Sequence, residues 1–318
     1  MMSEAQGAKK ELLSSQSGVP IQMKVDPPKN DTVGSHPITR PKYDFSQEFY
    51  CDALDDKTVN TIADGSNIDV VVLVGFAGYG KTTFVSSLYY QLLTNVEYHG
   101  FIFFDSETYA GCERRFAIRT LKTNIDADTK RTIKGEAHIL SFSLIDKRTN
   151  ERRKLVVSDR SGEDYNEYID NSDSIKDNKL LKVANQILFF IDTTELMSNF
   201  YRVNYNYGLL LDGMKKHNII PQGCKLSLVF NKHDHVKDEK EKNEEFELKA
   251  MKIKALFEQK LDGLNLNVFK VNSTGEGENF KTVDALYKDL LTTSSYKCPS
   301  DIPELDWVSL QIKKLKDE

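Results

Sequence analysis

The residues best suited to chemistry lie in the stretch GFAGYGKT, which runs from Gly75 to Thr82 and follows the pattern G-x-x-x-x-G-K-[S/T]. Its glycines let consecutive backbone N–H groups curl around an anionic phosphate, and a following helix presents its positive N-terminal end. Lys81 can reach the β- and γ-phosphates, Thr82 can ligate Mg²⁺, and Thr83 can contact the α-phosphate. The other nucleotide-binding residues expected here are Gly75, Gly78, Tyr79 and Gly80. This stretch predicts a nucleoside triphosphate site.

A triphosphate site needs a second oxygen ligand that holds the water shell of Mg²⁺, and Asp159 is the candidate. It follows an apolar run in KLVVSDRSGED, and Gly162 can offer its backbone N–H to the γ-phosphate. Glu163 comes next and has two interpretations. It can accept a proton from the attacking water, although the γ-phosphate would repel its charge, or it can favour the positive end of a helix.

The stretch SLVFNKHDHV predicts which base the site accepts. The Asp234 carboxylate can accept hydrogen bonds from N1–H and the 2-amino group of guanine, whereas adenine has neither donor and would leave it unpaired. Lys232 can lie over the base, and Asn231 can tie the surrounding loops together. Farther on, Ser273 and Thr274 end another strand-like run, where a backbone N–H can read O6 of guanine.

Composition excludes several classes of protein. The chain has 318 residues and a net charge of −5, which argues against general nucleic-acid binding. Four scattered cysteines without a CxxC pair indicate neither a disulfide framework nor a zinc site. Because no signal peptide and no apolar run of membrane-spanning length is found, we expect a cytoplasmic protein with no transmembrane segment.

Short apolar runs alternate with helix-like segments from Asp69 onward, which predicts a mainly parallel sheet with helices on both faces. The strand-like runs are DVVVLVGF, GFIFFD, AHILSFSLID, KLVVSD, NQILFFID, KLSLVFN and LNVFKVNS. A mobile N-terminal arm is expected at 1–45, one α/β domain at 46–294, and an amphipathic C-terminal segment at 295–318.

The ordered set GFAGYGKT, DRSG, NKHD and NST resembles the Ras-like, TRAFAC-type P-loop GTPases across Asp69 to Leu291. This resemblance implies a Ras-like G domain with a mostly parallel sheet of about six strands, and GTP or GDP with Mg²⁺ as ligands. SETYAGCERRF, TKRTIKGEAHILSF and LVVSDRSGEDY are similar to the bacterial double-GTPase families of predicted conflict systems. That narrower resemblance implies a partner GTPase or another protein effector, and a role in defence.

The resemblance also implies a threonine that closes over Mg²⁺ and the γ-phosphate, and Thr132 is the candidate for this catalytic and metal-binding role. Ras-like enzymes often carry glutamine where this chain has Glu163, which favours a slow switch. No spacing singles out a transition-state arginine among the nearby candidates. These are Arg114, Arg115, Arg119, Arg131 and Arg160.

Two other functions remain open from the residues alone. The chain could be an ATP-using P-loop enzyme, in which case NKHD would not read guanine. It could also be a scaffold that binds nucleotide without hydrolysing it and works through its surface.

Overall fold

The computed structural model describes residues 52–56, 58–59, 67–120, 138–261, 266–274 and 280–292, with the backbone alone at 117–120. The expected arm at 1–45 and the segment at 295–318 lie outside these residues. The two boundaries between the three expected segments therefore stay predictions.

Seven strands form one sheet in the described part of the chain, in the order β2-β3-β4-β1-β5-β6-β7. They are β1 (Asn67–Val74), β2 (Phe101–Asp105), β3 (Ile139–Asp146), β4 (Glu151–Ser158), β5 (Gln186–Asp192), β6 (Lys225–Asn231) and β7 (Leu266–Lys270). Each overlaps one of the predicted apolar runs, and β4 begins three residues before its run. The prediction of a P-loop α/β fold is thus confirmed, with seven strands where the resemblance implied about six.

The sheet is mostly parallel. β4, β1, β5, β6 and β7 pair in parallel, whereas β3 is antiparallel to both of its neighbours, β2 and β4. All seven residues of β5 are buried, as are six of the seven in β6. Since side chains alternate between the two faces of a strand, continuous burial means that both faces of the sheet are covered.

The helices fill the connections between strands. They are α1 (Lys81–Thr94), α2 (Tyr109–Thr120), α3 (Gly162–Asp170), α4 (Lys179–Lys182), α5 (Thr193–Ser198), α6 (Phe200–Lys216), α7 (Asp234–Lys237), α8 (Lys240–Lys260) and α9 (Phe280–Thr292), with a 3₁₀ helix at Ser172–Asp177. None of the helices in the described ranges combines the length and apolar character needed to cross a bilayer.

The order of strands positions the site. The carboxyl ends of parallel strands lie at one edge of a sheet, where ligands of such folds bind. Gly75 follows β1, Asp159 follows β4, and Asp192 and Asn231 end the adjacent strands β5 and β6, where they are register partners. The motifs found in the sequence therefore meet at the same edge.

Candidate functional site

The loop between β1 and α1 wraps around the Lys81 amine. Lys81 Nζ donates to the carbonyl oxygens of Gly75 at 2.5 Å and Phe76 at 3.2 Å, and the residue is 6% exposed. Burial lowers the pKa of this amine to about 8, while the carboxylates of Asp159 and Asp164 act to raise it. A buried cation is stabilised by an anionic partner, so the loop holds a positive charge ready for phosphate oxygens.

Gly80 is the point where the phosphate loop meets the guanine motif. Its φ is +84°, and a Cβ there would lie 2.0 Å from Nδ2 of Asn231. Asn231 Nδ2 donates to the Tyr79 carbonyl at 2.9 Å, and the Ser273 backbone N–H donates to Asn231 Oδ1 at 2.9 Å. Ser87 of α1 donates to the Ser273 carbonyl at 2.5 Å. One amide side chain thereby joins three segments of the site.

Each of the two segments predicted to read the base, after β6 and after β7, carries a buried polar atom that a ligand could pair. Asp234 is the first residue of α7, and its Oδ1 atom is buried without a hydrogen-bond partner among the described residues. Ser273 Oγ is in the same condition. Buried polar atoms are normally paired, so these two mark where a ligand with donors would bind. Lys232 Nζ contacts Asp192 Oδ2 at 2.6 Å, and Asp192 Oδ1 accepts from Thr194 N–H at the start of α5.

Thr82 and Asp159, the two described residues that the sequence proposes as metal ligands, are in contact. Thr82 Oγ1 donates to Asp159 Oδ1 at 3.1 Å, and Asp159 is fully buried. Burial raises the pKa of the Asp159 carboxyl, whereas Arg115, Lys81 and the Thr82 hydroxyl act against that shift. Arg115 Nε donates to the other oxygen, Oδ2, at 3.3 Å. A hydroxyl and a carboxylate are the hard oxygen donors that Mg²⁺ prefers.

Gly162 lies directly against the phosphate loop at the start of α3. A Cβ at this position would be 2.0 Å from the Ala77 nitrogen, so only glycine allows the approach. The Glu163 N–H donates to Oγ of the N-cap residue Ser161 at 3.2 Å, and the Glu163 side chain is exposed in the first helical turn. Tyr165 on the same helix donates to the Leu73 carbonyl at 2.7 Å. The DRSG motif is thus packed onto the phosphate loop.

A sequence model described as Double-GTPase 2 matches residues 69–291, which is most of the chain. The chain belongs to the Double-GTPase 2 family. Membership makes it a P-loop GTPase of the double-GTPase type that binds guanine nucleotide. Among curated proteins, no match is found.

Solved structures with a similar fold include two elongation factors. The bacterial selenocysteine-specific elongation factor EF-Sec is 15% identical, with a TM-score of 0.38 over 71% of this chain and 29% of its own. The translation elongation factor SelB from Methanococcus maripaludis, solved in complex with the GTP analogue GPPNHP, is 13% identical, with a TM-score of 0.37 over 73% of this chain and 35% of its own. The Double-GTPase 2 chain therefore spans about a third of the length of these proteins.

Most sequence-predicted residues of this Double-GTPase 2 member come together at one edge of the sheet. Gly78 has a φ of +80° in the phosphate loop, and Thr83 lies in the first turn of α1. The Tyr79 side chain is buried against Phe76, with ring centroids 5.7 Å apart. Tyr79 therefore contributes to the site through its backbone. Thr274 donates to the Asn272 side chain through both its N–H, at 2.9 Å, and its hydroxyl, at 2.7 Å. The Thr132 prediction lies outside the described residues.

The sequence alone did not identify Asp192 as a residue of the site. It also gave no reason to single out Arg115 among the candidate arginines. Asp192 had a usable signal, because an acidic residue directly after an apolar strand is the same pattern that identified Asp159. Arg115 had none, since it meets Asp159 across 44 positions of the sequence.

Proposed function

We propose that this protein is a guanine-nucleotide switch that hydrolyses GTP slowly with Mg²⁺. The observation that carries the proposal is the buried Oδ1 atom of Asp234, which lacks a partner among the described residues. It lies three positions after Asn231, whose amide is hydrogen-bonded to the phosphate loop at Tyr79. A carboxylate oxygen so placed suits the N1–H and 2-amino donors of guanine and penalises adenine.

The phosphate end of the site supports the triphosphate part of the proposal. Lys81 would donate to the β- and γ-phosphate oxygens, and Gly162 would offer its backbone N–H to the γ-phosphate. Thr82 and Asp159 would hold Mg²⁺, with Thr132 as a third ligand. When bound, Mg²⁺ would neutralise phosphate charge. The γ-phosphate would order the segments of Gly162 and Thr132, and hydrolysis would release them.

Slow turnover is proposed from the surroundings of Gly162. Glu163 is exposed in the first turn of α3, where its charge stabilises the helix N-terminus. A carboxylate is a poor substitute for an amide in orienting water beside the γ-phosphate, because like charges repel. The structure therefore supports a switch whose hydrolysis is accelerated by another protein.

We also propose that the partner is a second GTPase, and that the pair acts in a bacterial conflict or defence system in the cytoplasm. The family is described as a double GTPase, and this sequence contains a single G-x-x-x-x-G-K-[S/T] pattern. The similarity of SETYAGCERRF and the neighbouring stretches to those families is the support for the defence role.

Competition binding tests the base assignment. A fluorescent methylanthraniloyl derivative of GDP would be bound to the protein and displaced with GTP, GDP or ATP. We expect GTP and GDP to displace it at concentrations at least ~100-fold lower than ATP, since the mismatch leaves a buried acceptor unpaired. Equal displacement by ATP would favour the ATP-using enzyme.

Phosphate release tests the switch. We expect slow Mg²⁺-dependent release from GTP, on the order of 10⁻⁴ to 10⁻² s⁻¹ without a partner. Bound nucleotide without release under any condition, including addition of candidate partner GTPases, would favour the scaffold.

A further inference from the structure

An ion pair connects helix α2 to the proposed metal ligand. Arg115 Nε lies 3.3 Å from Asp159 Oδ2, and the side chains are 12% and 0% exposed. The guanidinium also donates from Nη1 to the carbonyl of Gly111 on its own helix, at 3.0 Å. Arg115 therefore supplies a positive charge to one oxygen of Asp159, while Thr82 contacts the other.

The Arg115 guanidinium contacts the carboxylate that we propose as a metal ligand. Asp159 is fully buried, and a buried carboxylate is costly unless a positive charge stays beside it. A guanidinium and a divalent cation on the same carboxylate would repel each other strongly, because the effective dielectric constant is low in the interior. Lys81 also acts on this carboxyl, but Arg115 is the cation hydrogen-bonded to it, so the departure of Arg115 would cost least when a metal cation replaces it.

We propose that Arg115 competes with Mg²⁺ for Asp159, so that loading of the metal with GTP releases the Arg115 end of α2 and loss of the metal restores the contact. The proposal rests on the Mg²⁺ site proposed above and adds a regulatory role for α2. The strength of the Arg115–Asp159 ion pair would then set the Mg²⁺ concentration that the protein needs in order to bind GTP.

The other contacts of α2 explain why only one part of the helix would move. A Cβ on Gly111 would lie 2.4 Å from the backbone nitrogen of Ala53, so the helix start is closely packed. Glu113 accepts from the Tyr89 hydroxyl at 2.5 Å, and this contact ties the helix to α1. Neither contact involves the metal ligands. Phe116 stacks on Tyr90 of α1, with ring centroids 5.4 Å apart, so the release would concern the Arg115 side chain and the helix beyond Phe116.

The test is a Mg²⁺ titration of nucleotide binding to the full chain. Binding of methylanthraniloyl-GTP would be followed for the wild type, Arg115→Gln, Arg115→Lys and Arg114→Gln. Arg114→Gln is the matched control because it removes the same charge one residue away. The Arg114 side chain is 58% exposed and pairs with Asp52. Thermal unfolding of each variant would confirm that it is folded.

We expect Arg115→Gln to lower the half-saturating Mg²⁺ concentration about tenfold, equivalent to ~1.4 kcal/mol. Arg115→Lys should stay within about threefold of the wild type because it keeps the charge, and Arg114→Gln should be unchanged. An unchanged or raised Mg²⁺ requirement in Arg115→Gln would overturn the proposal, and a raised one would indicate a phosphate contact instead. If the wild type showed no Mg²⁺-dependent binding of guanine nucleotide, the proposed function itself would be wrong.

Hydrogen–deuterium exchange supplies a second readout that does not depend on the folding of a variant. Adding Mg²⁺ and GTP to the wild type should increase backbone exchange at the Arg115 end of α2 relative to GTP with a chelator. Exchange near Gly111 should change little. Unchanged or stronger protection around Arg115 would contradict the release of α2.

Discussion

The two ends of the nucleotide site are held in different ways. At the base end, neutral hydrogen bonds from one amide connect Asn231 to Tyr79 and Ser273, each at 2.9 Å. At the metal end, the contacts are between charges, with Arg115 3.3 Å from Asp159. Neutral links inside the chain do not compete with a cation, whereas an ion pair does. The base end also has an ion pair, Lys232 with Asp192 at 2.6 Å, but it involves neither of the proposed metal ligands Thr82 and Asp159. We therefore expect the base end to be preorganised and the proposed metal end to be the responsive end.

The largest effect should come from Asp234, the carboxylate proposed to read the base. Asp234→Asn replaces an acceptor by a donor toward guanine N1–H, so GTP affinity should fall about 10²- to 10³-fold while xanthosine triphosphate gains affinity. Competition binding with the two triphosphates measures this exchange. Asp238→Asn is the control, because Asp238 is exposed just after α7. A loss of GTP binding without a gain for xanthosine triphosphate would mean that Asp234 supports the loop and does not read the base.

The strands and most of the base end could be predicted from the sequence. All seven strands overlap apolar runs, although β4 begins with charged residues, and Asn231 and Asp234 lie in a local pattern whose chemistry is specific. The direction of β3 was not predicted, although the signal was present. Residues 147–150 join β3 to β4, and so short a connection permits only an antiparallel pair.

The metal end could be predicted only in part, for a physical reason. Asp159 and Thr82 belong to local motifs, so their meeting follows from parallel strands that end at the same edge. Arg115 reaches Asp159 because α2 packs beside α1, through contacts such as Phe116 against Tyr89 at 6.0 Å between ring centroids. Such packing depends on tertiary shape and leaves no spacing in the sequence.

The next effect tests whether the base end is a rigid link. Asn231→Ala removes the donor to Tyr79 and the acceptor for Ser273, which leaves two buried backbone groups unpaired. We expect GTP and GDP affinity to fall equally, by about 30-fold, and the free energy of unfolding to fall by roughly 2–3 kcal/mol. Nucleotide binding and urea denaturation measure these values. Asn95→Ala, at an exposed site after α1, should change neither. If GTP affinity fell while GDP affinity did not, the effect of Asn231 would depend on the γ-phosphate, and Asn231 would belong to the responsive end.

A smaller effect is expected where the responsive end touches the phosphate loop. Gly162→Ala would place a methyl group 2.0 Å from the Ala77 nitrogen, so α3 must move away. Hydrolysis should slow about tenfold, because the Gly162 N–H would lose its proposed contact with the γ-phosphate, while GDP affinity should stay within about threefold. Single-turnover phosphate release and GDP titration separate the two quantities. In the control, Gly208→Ala, the added Cβ has no atom within 4 Å. An equal loss of GDP binding would show that the two ends are not independent.

The smallest effect concerns Glu163, whose exposed side chain lies in the first turn of α3, near the positive end of the helix. Glu163→Gln removes a negative charge near the γ-phosphate and introduces an amide that can orient water, so GTP turnover should rise about threefold. The free energy of unfolding should fall by ~0.3–1 kcal/mol, since the favourable charge at the helix N-terminus is lost. Glu167→Gln, exposed one turn later on the same helix, is matched in charge and should leave turnover unchanged. A tenfold fall in turnover for Glu163→Gln alone would instead make Glu163 the general base. The responsive end would then carry its own catalytic group, and a partner would be needed for timing and not for chemistry.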